Sequence, residues 1–443
     1  MARATAFLLR HNILVPSLCL TQAAWRTSTS QSLPPTMAGK KSVEYFVNWG
    51  IYGCKFPPSM ISVEDLTLLY AFANFSPSSG AVALSDSWAN AELHYPGNSW
   101  NDVRNNLYGN FQAIYNPKKA NRHPELLLSI GGWTYSPSFH CLSNPWSSIP
   151  NFAPNLYAHL SNYSKTTALM VLTLTTSIPR MTSDRQAQGY AALLWGLRHA
   201  LDHHAQRKGS KYRFLLTIAA PCGTDNYQQL RVREMNQFLD FWSLMAYDFA
   251  GSQDCRGHQS NLLGPSISVS QAVDFQVGQG TPPANLITSI PLYGRSFVNT
   301  QEPGRPFNGI GPGSWEAGVY DYRALPLPGT HIFRDDEQMG ASWVYDYNKK
   351  EMISFDDEKA GHWEGKWIRK MGLGGSMIWE LSGNKGAPRP DMEGGLGKEP
   401  QQPWNNLDAM GGLQMDELNW LSCKGSKFDN MRKGKECIYV QTR

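Results

Sequence analysis

The chain has 443 residues, a formal net charge of +4 and a hydrophobic fraction of 41%. This composition is typical of a folded globular protein and excludes collagen-like, coiled-coil and disordered chains. The length fits two or three domains, or one α/β barrel with insertions, and the small dispersed charge gives no reason to expect a nucleic-acid partner.

Residues 1–37 form a leader whose role the sequence leaves open. They contain three arginines and no acidic residue, as an organellar transit peptide does, whereas the short apolar run Ile13–Leu20 resembles a weak secretion signal. A third interpretation is that translation starts at Met37. We expect a cytoplasmic protein in that case, and a secreted or organellar protein if the leader is real.

From Val43 onward, short apolar runs alternate with longer amphipathic stretches, which is the pattern of buried parallel strands that alternate with helices. We predict eight such strands: Val43–Trp49, Leu68–Ala73, Glu125–Ile130, Ala168–Leu174, Phe214–Ala220, Phe241–Ala246, Ile287–Pro291 and Gly375–Trp379. Eight strand–helix units predict an α/β protein, a (β/α)8 TIM barrel over 38–296 and 356–385.

Between the seventh and eighth strands, residues 297–355 are rich in Gly, Pro, Tyr and Trp and lack helical periodicity, so we predict an inserted α+β subdomain. The acidic residues Glu351 and Asp356–Glu358 are expected to form a solvated charged face. Residues 386–443 carry Gly, Pro and Gln clusters and are predicted to be a tail that wraps around the domain or is disordered.

Aromatic residues, which make up 12% of the chain, concentrate where the predicted strands end. The active site of a barrel of this kind lies at the carboxyl ends of its strands. Those ends carry Trp49, Tyr52, Phe72, Trp133, Tyr247, Tyr293 and Trp379. Core packing accounts for any single ring, but rings at six strand ends together favour a platform for the flat faces of sugars.

Four segments carry a family resemblance: Ser129–Thr134, Phe241–Phe249, Pro291–Arg295 and Gly374–Glu380. They resemble the family 18 glycoside hydrolases, and most of all the fungal endochitinases, and the likeness runs from Val43 to Gly383. The resemblance implies a TIM barrel with an α+β insertion after the seventh strand. It also implies endo-hydrolysis of β-1,4-linked N-acetylglucosamine polymers, with chitin or chitooligosaccharides as ligands.

The mechanism that the resemblance implies is substrate-assisted and retaining. One glutamic acid protonates the glycosidic oxygen, the substrate's own N-acetyl carbonyl attacks the anomeric carbon, and an aspartate two residues earlier orients the acetamido group. Tyr247 would support that group through its hydroxyl, and Trp379 would form the floor under the reacting sugar. The resemblance also implies substrate contacts from Tyr52, Phe72, Trp133, Met245, Asp248, Tyr293 and Arg295.

No cofactor or metal is expected. The seven cysteines are scattered and never spaced as Cys-x-x-Cys, so they indicate neither a zinc site nor a disulfide framework. The sequence contains no apolar run long enough to cross a bilayer. We therefore expect no membrane partner. We also expect a monomer.

The family's catalytic signature, Asp-Gly-x-Asp-x-Asp-[Trp/Tyr]-Glu-x-Pro, should end the fourth strand, and it is missing. Residues 170–179 read Met-Val-Leu-Thr-Leu-Thr-Thr-Ser-Ile-Pro instead. Ser177 stands at the position of the acid, and Thr173 and Thr175 stand at the positions of two aspartates. A general acid needs a pKa near the operating pH, which an aliphatic hydroxyl does not have. The chain as written is therefore predicted not to hydrolyse chitin.

With suitable synonymous codons, a shift of one base in the reading frame can restore this signature. If each codon begins with the last base of the codon before it, Met170 and Val171 must give glycine at position 171. Free choices of third bases then give Asp-Gly-Leu-Asp-Ile-Asp-Tyr-Glu-Tyr-Pro across 170–179. We hypothesise that roughly residues 141–182 are translated in the wrong frame, through compensating insertion and deletion or an error in the sequence or exon structure. The alternative is a pseudoenzyme that binds chitin as a lectin.

Overall fold

Among the residues that the computed structural model describes, fourteen β-strands form two sheets. The residues it describes are 40–61, 66–101, 105–120, 125–143, 156, 158, 171–175, 183–207, 213–250, 257–264, 267–335 and 339–385. All of them belong to one compact unit of the chain, Thr36–Arg443. The leader 1–37 and the tail 386–443 lie outside the described residues, as does most of 141–182.

Eight parallel strands close into a barrel. They are β1 (Lys41–Val47), β2 (Leu66–Phe75), β4 (Glu125–Gly131), β5 (Val171–Thr175), β6 (Leu216–Pro221), β7 (Phe241–Met245), β8 (Leu286–Pro291) and β14 (Gly375–Trp379). The ring closes because β1 pairs with β2 on one side and with β14 on the other. A short strand, β3 (Val82–Leu84), pairs antiparallel with β2. The predicted TIM barrel is confirmed, and each predicted strand overlaps an observed one.

Alternate residues of the barrel strands face opposite sides, as the pleat requires. Val43, Tyr45 and Val47 of β1 pack with inward residues of the other strands in one cluster. Phe46, between them, packs in a second and larger cluster with residues of the surrounding helices. The strands read as continuous apolar runs because both faces are buried.

Helices cover the outside of the barrel. They are α1 (Gly109–Ala120), α2 (Asp184–Arg207), α3 (Thr224–Tyr227), α4 (Val232–Met235), α5 (Val269–Gly278) and α6 (Glu358–Lys370). Helix α6 begins after Asp357, whose carboxylate accepts the backbone N–H groups of Lys359 and Ala360 as an N-cap. Within the described ranges, no helix is long and apolar enough to cross a membrane.

A second, antiparallel sheet follows β8. Its strands are β9 (Tyr293–Val298), β10 (Val319–Asp321), β11 (His331–Asp335), β12 (Ala341–Asp346) and β13 (Glu351–Phe355), in the order β10-β9-β13-β12-β11. The sheet begins at Tyr293 rather than at position 297, so Tyr293 and Arg295 belong to its first strand.

The prediction of a solvated acidic face was wrong. Glu351 is 1% exposed and accepts hydrogen bonds from Ser296 Oγ at 2.6 Å and the Tyr320 hydroxyl at 3.0 Å. Asp356 and Asp357 are also buried, and only Glu358 is exposed. Donors that are remote in sequence satisfy these buried carboxylates: Ser296 and Tyr320 donate to Glu351, and Arg334 Nε donates to Asp357.

Candidate active site

An aromatic cluster forms the floor of the barrel mouth. The Trp379 ring, at the end of β14, lies 4.8 Å from Tyr45 edge to face and 5.7 Å from Phe72 in a stacked arrangement, as centroid distances. The centroid of the Trp49 ring lies 5.9 Å from that of Phe72, with the two planes inclined by 31°. Tyr45 and Phe72 are buried and Trp49 is 45% exposed. The floor is therefore backed by the barrel core and open toward solvent.

The end of β4 fits closely against this floor. Gly132 has φ +79°, and a Cβ there would lie 2.6 Å from the Phe72 ring, so only glycine fits without displacing that ring. Trp133, the next residue, is 84% exposed. The structure therefore brings Phe72 and Trp379, two of the predicted substrate contacts, together, while the side chain of Trp133 is mostly exposed.

A polar cluster lies beside the floor, where the chain leaves β7 and where β9 begins. The Tyr293 hydroxyl donates to Asp248 Oδ1 at 2.7 Å, and Arg295 Nε donates to the same oxygen at 2.8 Å. The Tyr247 ring packs against the inward cluster that contains Tyr45 and Phe72, and lies 6.1 Å from the Tyr293 ring. Four residues predicted as ligand contacts are thus brought together.

The electrostatics of this cluster keep its tyrosines as donors. Burial raises the pKa of Tyr247 well above its ordinary value, with smaller contributions from Tyr45 and Asp248. Burial also raises the pKa of Tyr293 well above its ordinary value, and Asp248 adds to the shift. For Arg295, burial lowers the pKa, but the hydrogen bond and the charge of Asp248 outweigh it, so the net shift is upward. Both hydroxyls therefore stay protonated, and the guanidinium stays charged.

The other residues predicted as substrate contacts, and those at the positions of the catalytic signature, do not belong to the floor or to the polar cluster. Met245 ends β7 and is partly exposed, while Tyr52 is 47% exposed on the loop after β1 and donates to Asp86 Oδ2 at 2.6 Å. Thr173 lies in β5 at the register of Ser129 and Thr217. Thr175 lies at the register of Gly131 and Ala219 in the same strand. Ser177 lies outside the described residues.

The sequence analysis did not identify two further residues that lie at the mouth of the barrel. Tyr45 packs against Trp379 from inside the barrel. The alternation of inward and outward residues along β1 could have identified Tyr45 as an inward residue. Trp88 stacks on Tyr52 and comes from a segment between β3 and α1 that carried no strand-end signal.

The Glu380 carboxylate, beside Trp379, accepts hydrogen bonds from the backbone N–H and the hydroxyl of Ser382, and burial raises its pKa to about 7.

The arrangement suits an uncharged, flat, hydroxyl-rich ligand. Exposed ring faces bind the apolar faces of sugars, and hydroxyl, carboxylate and guanidinium groups can pair with ligand hydroxyl and amide groups. Among the described residues, no group of three or more His, Cys, Asp or Glu side chains is placed to hold a metal ion.

Comparison with known proteins agrees with this description. Residues 41–384 match the profile described as Glycosyl hydrolases family 18. Endochitinase 1 of Metarhizium robertsii is 35% identical over 93% of this chain and 96% of its own.

Solved structures share the fold. Chitinase ChiA74 from Bacillus thuringiensis has a TM-score of 0.73 at 24% identity, over 85% of this chain and 71% of its own. Human YKL-39, described as a pseudo-chitinase with retained chitooligosaccharide binding, has a TM-score of 0.67 at 24% identity, over 78% and 94%. The family match covers most of the chain, and the barrel and its mouth agree with it. The chain belongs to glycosyl hydrolase family 18.

Proposed function

We propose that this chain binds chitin or chitooligosaccharides across the mouth of the barrel, and that its gene specifies an endochitinase whose general acid is absent from the chain as written. The observation that carries the proposal is the aromatic floor of Trp379, Phe72 and Tyr45 next to the Tyr247 and Asp248 cluster. An apolar ring face beside a protonated hydroxyl and a carboxylate matches the two sides of an N-acetylglucosamine unit.

In this proposal, the residues of the mouth hold the sugar for a substrate-assisted reaction. Trp379 packs against the face of the reacting sugar. The Tyr247 hydroxyl donates to the acetamido carbonyl, and its raised pKa keeps it a donor across the working pH range. Asp248 accepts a ligand hydroxyl or amide proton while Tyr293 and Arg295 fix its other oxygen. The acetamido group would then lie near the anomeric carbon of its own ring.

The proton donor is what the chain lacks. In the sequence, the position of the acid comes two residues after β5. That strand runs parallel to β4 and β6, so its carboxyl end lies at the same end of the barrel as that of β14, which carries Trp379. Ser177 occupies that position in the sequence, and a serine hydroxyl does not protonate a glycosidic oxygen near neutral pH. We therefore expect the purified chain to bind chitooligosaccharides without cleaving a fluorogenic chitotrioside.

A repaired chain tests this directly. Replacing residues 170–178 so that they read Asp-Gly-Leu-Asp-Ile-Asp-Tyr-Glu-Tyr is expected to raise chitotrioside hydrolysis by at least about 100-fold, the smallest effect typical of a general acid. The matched control is the same repaired chain with glutamine at position 177, which should bind oligosaccharides and not cleave them. Hydrolysis by the unrepaired chain at a comparable rate would contradict the assignment of the acid position.

Sequencing genomic DNA and transcript from codon 135 to codon 192 tests the cause of the loss. An uninterrupted frame that encodes the signature would mean that the natural protein is an ordinary endochitinase. A transcript that encodes Thr173, Thr175 and Ser177 would instead establish a genuine lesion or an old divergence, and the reading error would be excluded.

The second candidate function is chitin binding without catalysis, as a lectin-like pseudoenzyme. It is favoured by the fact that the floor and the polar cluster are built from residues outside 170–179. Calorimetric binding of a chitooligosaccharide to the unrepaired chain is expected, with at least a tenfold loss of affinity in Trp379→Ala. Trp363→Ala, on the outer helix α6, is the control and should bind normally.

A further inference from the structure

Two exposed histidines lie one turn apart on the outer helix α2. His199 and His203 are four residues apart in this helix, a spacing that places two side chains on the same face with their Cβ atoms about 5–6 Å apart. Both side chains are exposed. The barrel core does not account for these rings, because residues such as Leu193 and Leu197 form the buried side of α2.

The His199 ring is held in one orientation by its own helix. Its Nδ1 lies 2.8 Å from the carbonyl oxygen of Trp195, and because a carbonyl can only accept, Nδ1 carries the proton. The imidazole also packs on the Trp195 ring, with the two centroids 4.3 Å apart. Trp195 is half-buried and packs against the core. In the neutral His199 ring, the free lone pair is therefore on Nε2.

This arrangement is typical of a histidine that binds a metal ion. Ligating histidines almost always donate their second ring nitrogen to a carbonyl, a carboxylate or water, which fixes the tautomer and the orientation of the ring. Helical side chains lean toward the N-terminus of their helix, so the His203 ring leaves the backbone in the direction of His199. Two imidazoles at this spacing on a helix can bind one ion together, as in His-Glu-x-x-His zinc sites.

The charges next to the pair do not oppose a cation. Arg198 is buried, and its guanidinium donates to Asp202 at 2.6 Å and to Asp240 at 3.2 Å. Its charge is therefore compensated by carboxylates. Arg207, one turn beyond His203, is exposed, so water and salt screen its charge.

The pair is remote from the mouth of the barrel. Helix α2 follows β5 and begins at Asp184, and His199 lies fifteen residues later, which is about 22 Å along the helix. An ion bound there would link two successive turns of α2 and would not reach a ligand at the mouth. Imidazole nitrogens suit nickel, copper and zinc ions better than magnesium or calcium ions.

We propose that His199 and His203 form a binding site for a divalent ion of the nickel, copper or zinc type on the outer face of α2. His199 binds through Nε2, His203 supplies the second imidazole, and water fills the other coordination positions. A site of two ligands differs from the groups of three or more that are absent among the described residues. Because the pair is assembled only when α2 is helical, the ion stabilises the folded chain. The site does not depend on chitin binding.

Isothermal titration calorimetry of the untagged full chain with Ni²⁺ at pH 7.5 tests the site. We expect one ion to bind at the pair, and His199→Ala and His203→Ala should each lower the affinity at least about tenfold, because the second ligand on the same scaffold is lost. Ni²⁺ at about 100 times its Kd should raise the thermal midpoint of the unmodified chain by about 2–3 °C. The same Ni²⁺ concentration should not raise the midpoint of either variant. Both substitutions replace exposed side chains, so the midpoints without Ni²⁺ should be unchanged.

Two further variants are matched controls. His331→Ala removes an exposed imidazole from β11 and should leave Ni²⁺ affinity unchanged. His203→Ala combined with Gln206→His keeps the number of imidazoles but places the second one about 10 Å along the helix from His199, too far to share an ion. This double variant should bind Ni²⁺ as weakly as His203→Ala. The site is overturned if the unmodified chain binds no Ni²⁺, or if His203→Ala binds it as tightly as the unmodified chain.

Discussion

Asp248 is the residue on which the polar side of the site depends. Its φ is +58°, a conformation that non-glycine residues seldom adopt. The Tyr293 hydroxyl and Arg295 Nε both donate to Oδ1, and no donor from the described residues reaches Oδ2. A ligand hydroxyl or amide can therefore meet Oδ2 while the other oxygen holds the carboxylate in position.

Tyr293→Phe removes one of these donors and keeps the ring that packs near Tyr247 and under Arg295. We expect affinity for a chitooligosaccharide to fall about fivefold, the equivalent of about 1 kcal/mol for one hydrogen bond. Calorimetry measures the change. The control is Tyr347→Phe, at an exposed tyrosine in the turn between β12 and β13. An unaltered affinity in Tyr293→Phe would show that Arg295 alone holds Asp248.

At the scale of elements, the junction after β4 sets the position of Phe72. We expect Gly132→Ala to lower both stability and ligand affinity, because the new methyl group would lie against the Phe72 ring in addition to straining a positive φ. The matched control is Gly372→Ala after α6, where φ is +68° and nothing lies within 4 Å of a Cβ.

Each alanine variant should lose about 1 kcal/mol or more of unfolding free energy through the backbone alone. Only Gly132→Ala should also weaken chitooligosaccharide binding, because it moves a ring of the floor. Chemical unfolding and calorimetry on both variants give the two quantities. Equal affinities would mean that the loop adjusts without disturbing Phe72.

At the scale of the whole molecule, buried carboxyl groups make stability depend on pH. Burial raises the pKa of Glu44 from 4.5 to about 7 and that of Asp356 from 3.8 to about 7. Burial also raises the pKa of Glu364 well above 4.5. In each of these three carboxyl groups, one oxygen has no hydrogen-bond partner among the described residues. The folded chain therefore keeps protons that the unfolded chain releases as the pH rises above about 4.5.

Stability should consequently fall between about pH 4.5 and pH 7. His258 acts in the opposite direction, because burial lowers its pKa from 6.5 to about 4, so its protonation in the unfolded chain destabilises the fold below pH 6.5. These carboxyl groups, together with Glu380, whose pKa burial also raises to about 7, outweigh one histidine. We expect the thermal midpoint at pH 5 to exceed that at pH 7.5 by roughly 2–5 °C. Glu364→Gln should reduce this difference. Glu358→Gln, at an exposed position, should leave the difference between the two thermal midpoints unchanged. An equal effect of the two substitutions would contradict the assignment of the pH dependence to buried carboxyl groups.

The sequence by itself determined the barrel and most of its rim. Strands such as β7 and β14 were predictable because burial on both faces leaves a continuous apolar run that can be read locally. The rings of Phe72, Tyr247 and Trp379 followed from their places at strand ends. The prediction that Ser177 stands at the position of the general acid rests on the sequence alone, since Ser177 lies outside the described residues.

Only the tertiary structure decided which side chains meet. The sequence predicted that the acidic residues Glu351 and Asp356 lie on a solvated face. In the structure both are buried, and Glu351 accepts a hydrogen bond from a donor on another strand. The shared oxygen of Asp248 and the stacking of Trp88 on Tyr52 likewise join residues from separate elements. Local sequence patterns report periodicity and propensity along the chain. The contacts of a polar or aromatic side chain depend instead on neighbours that only the closed barrel brings together.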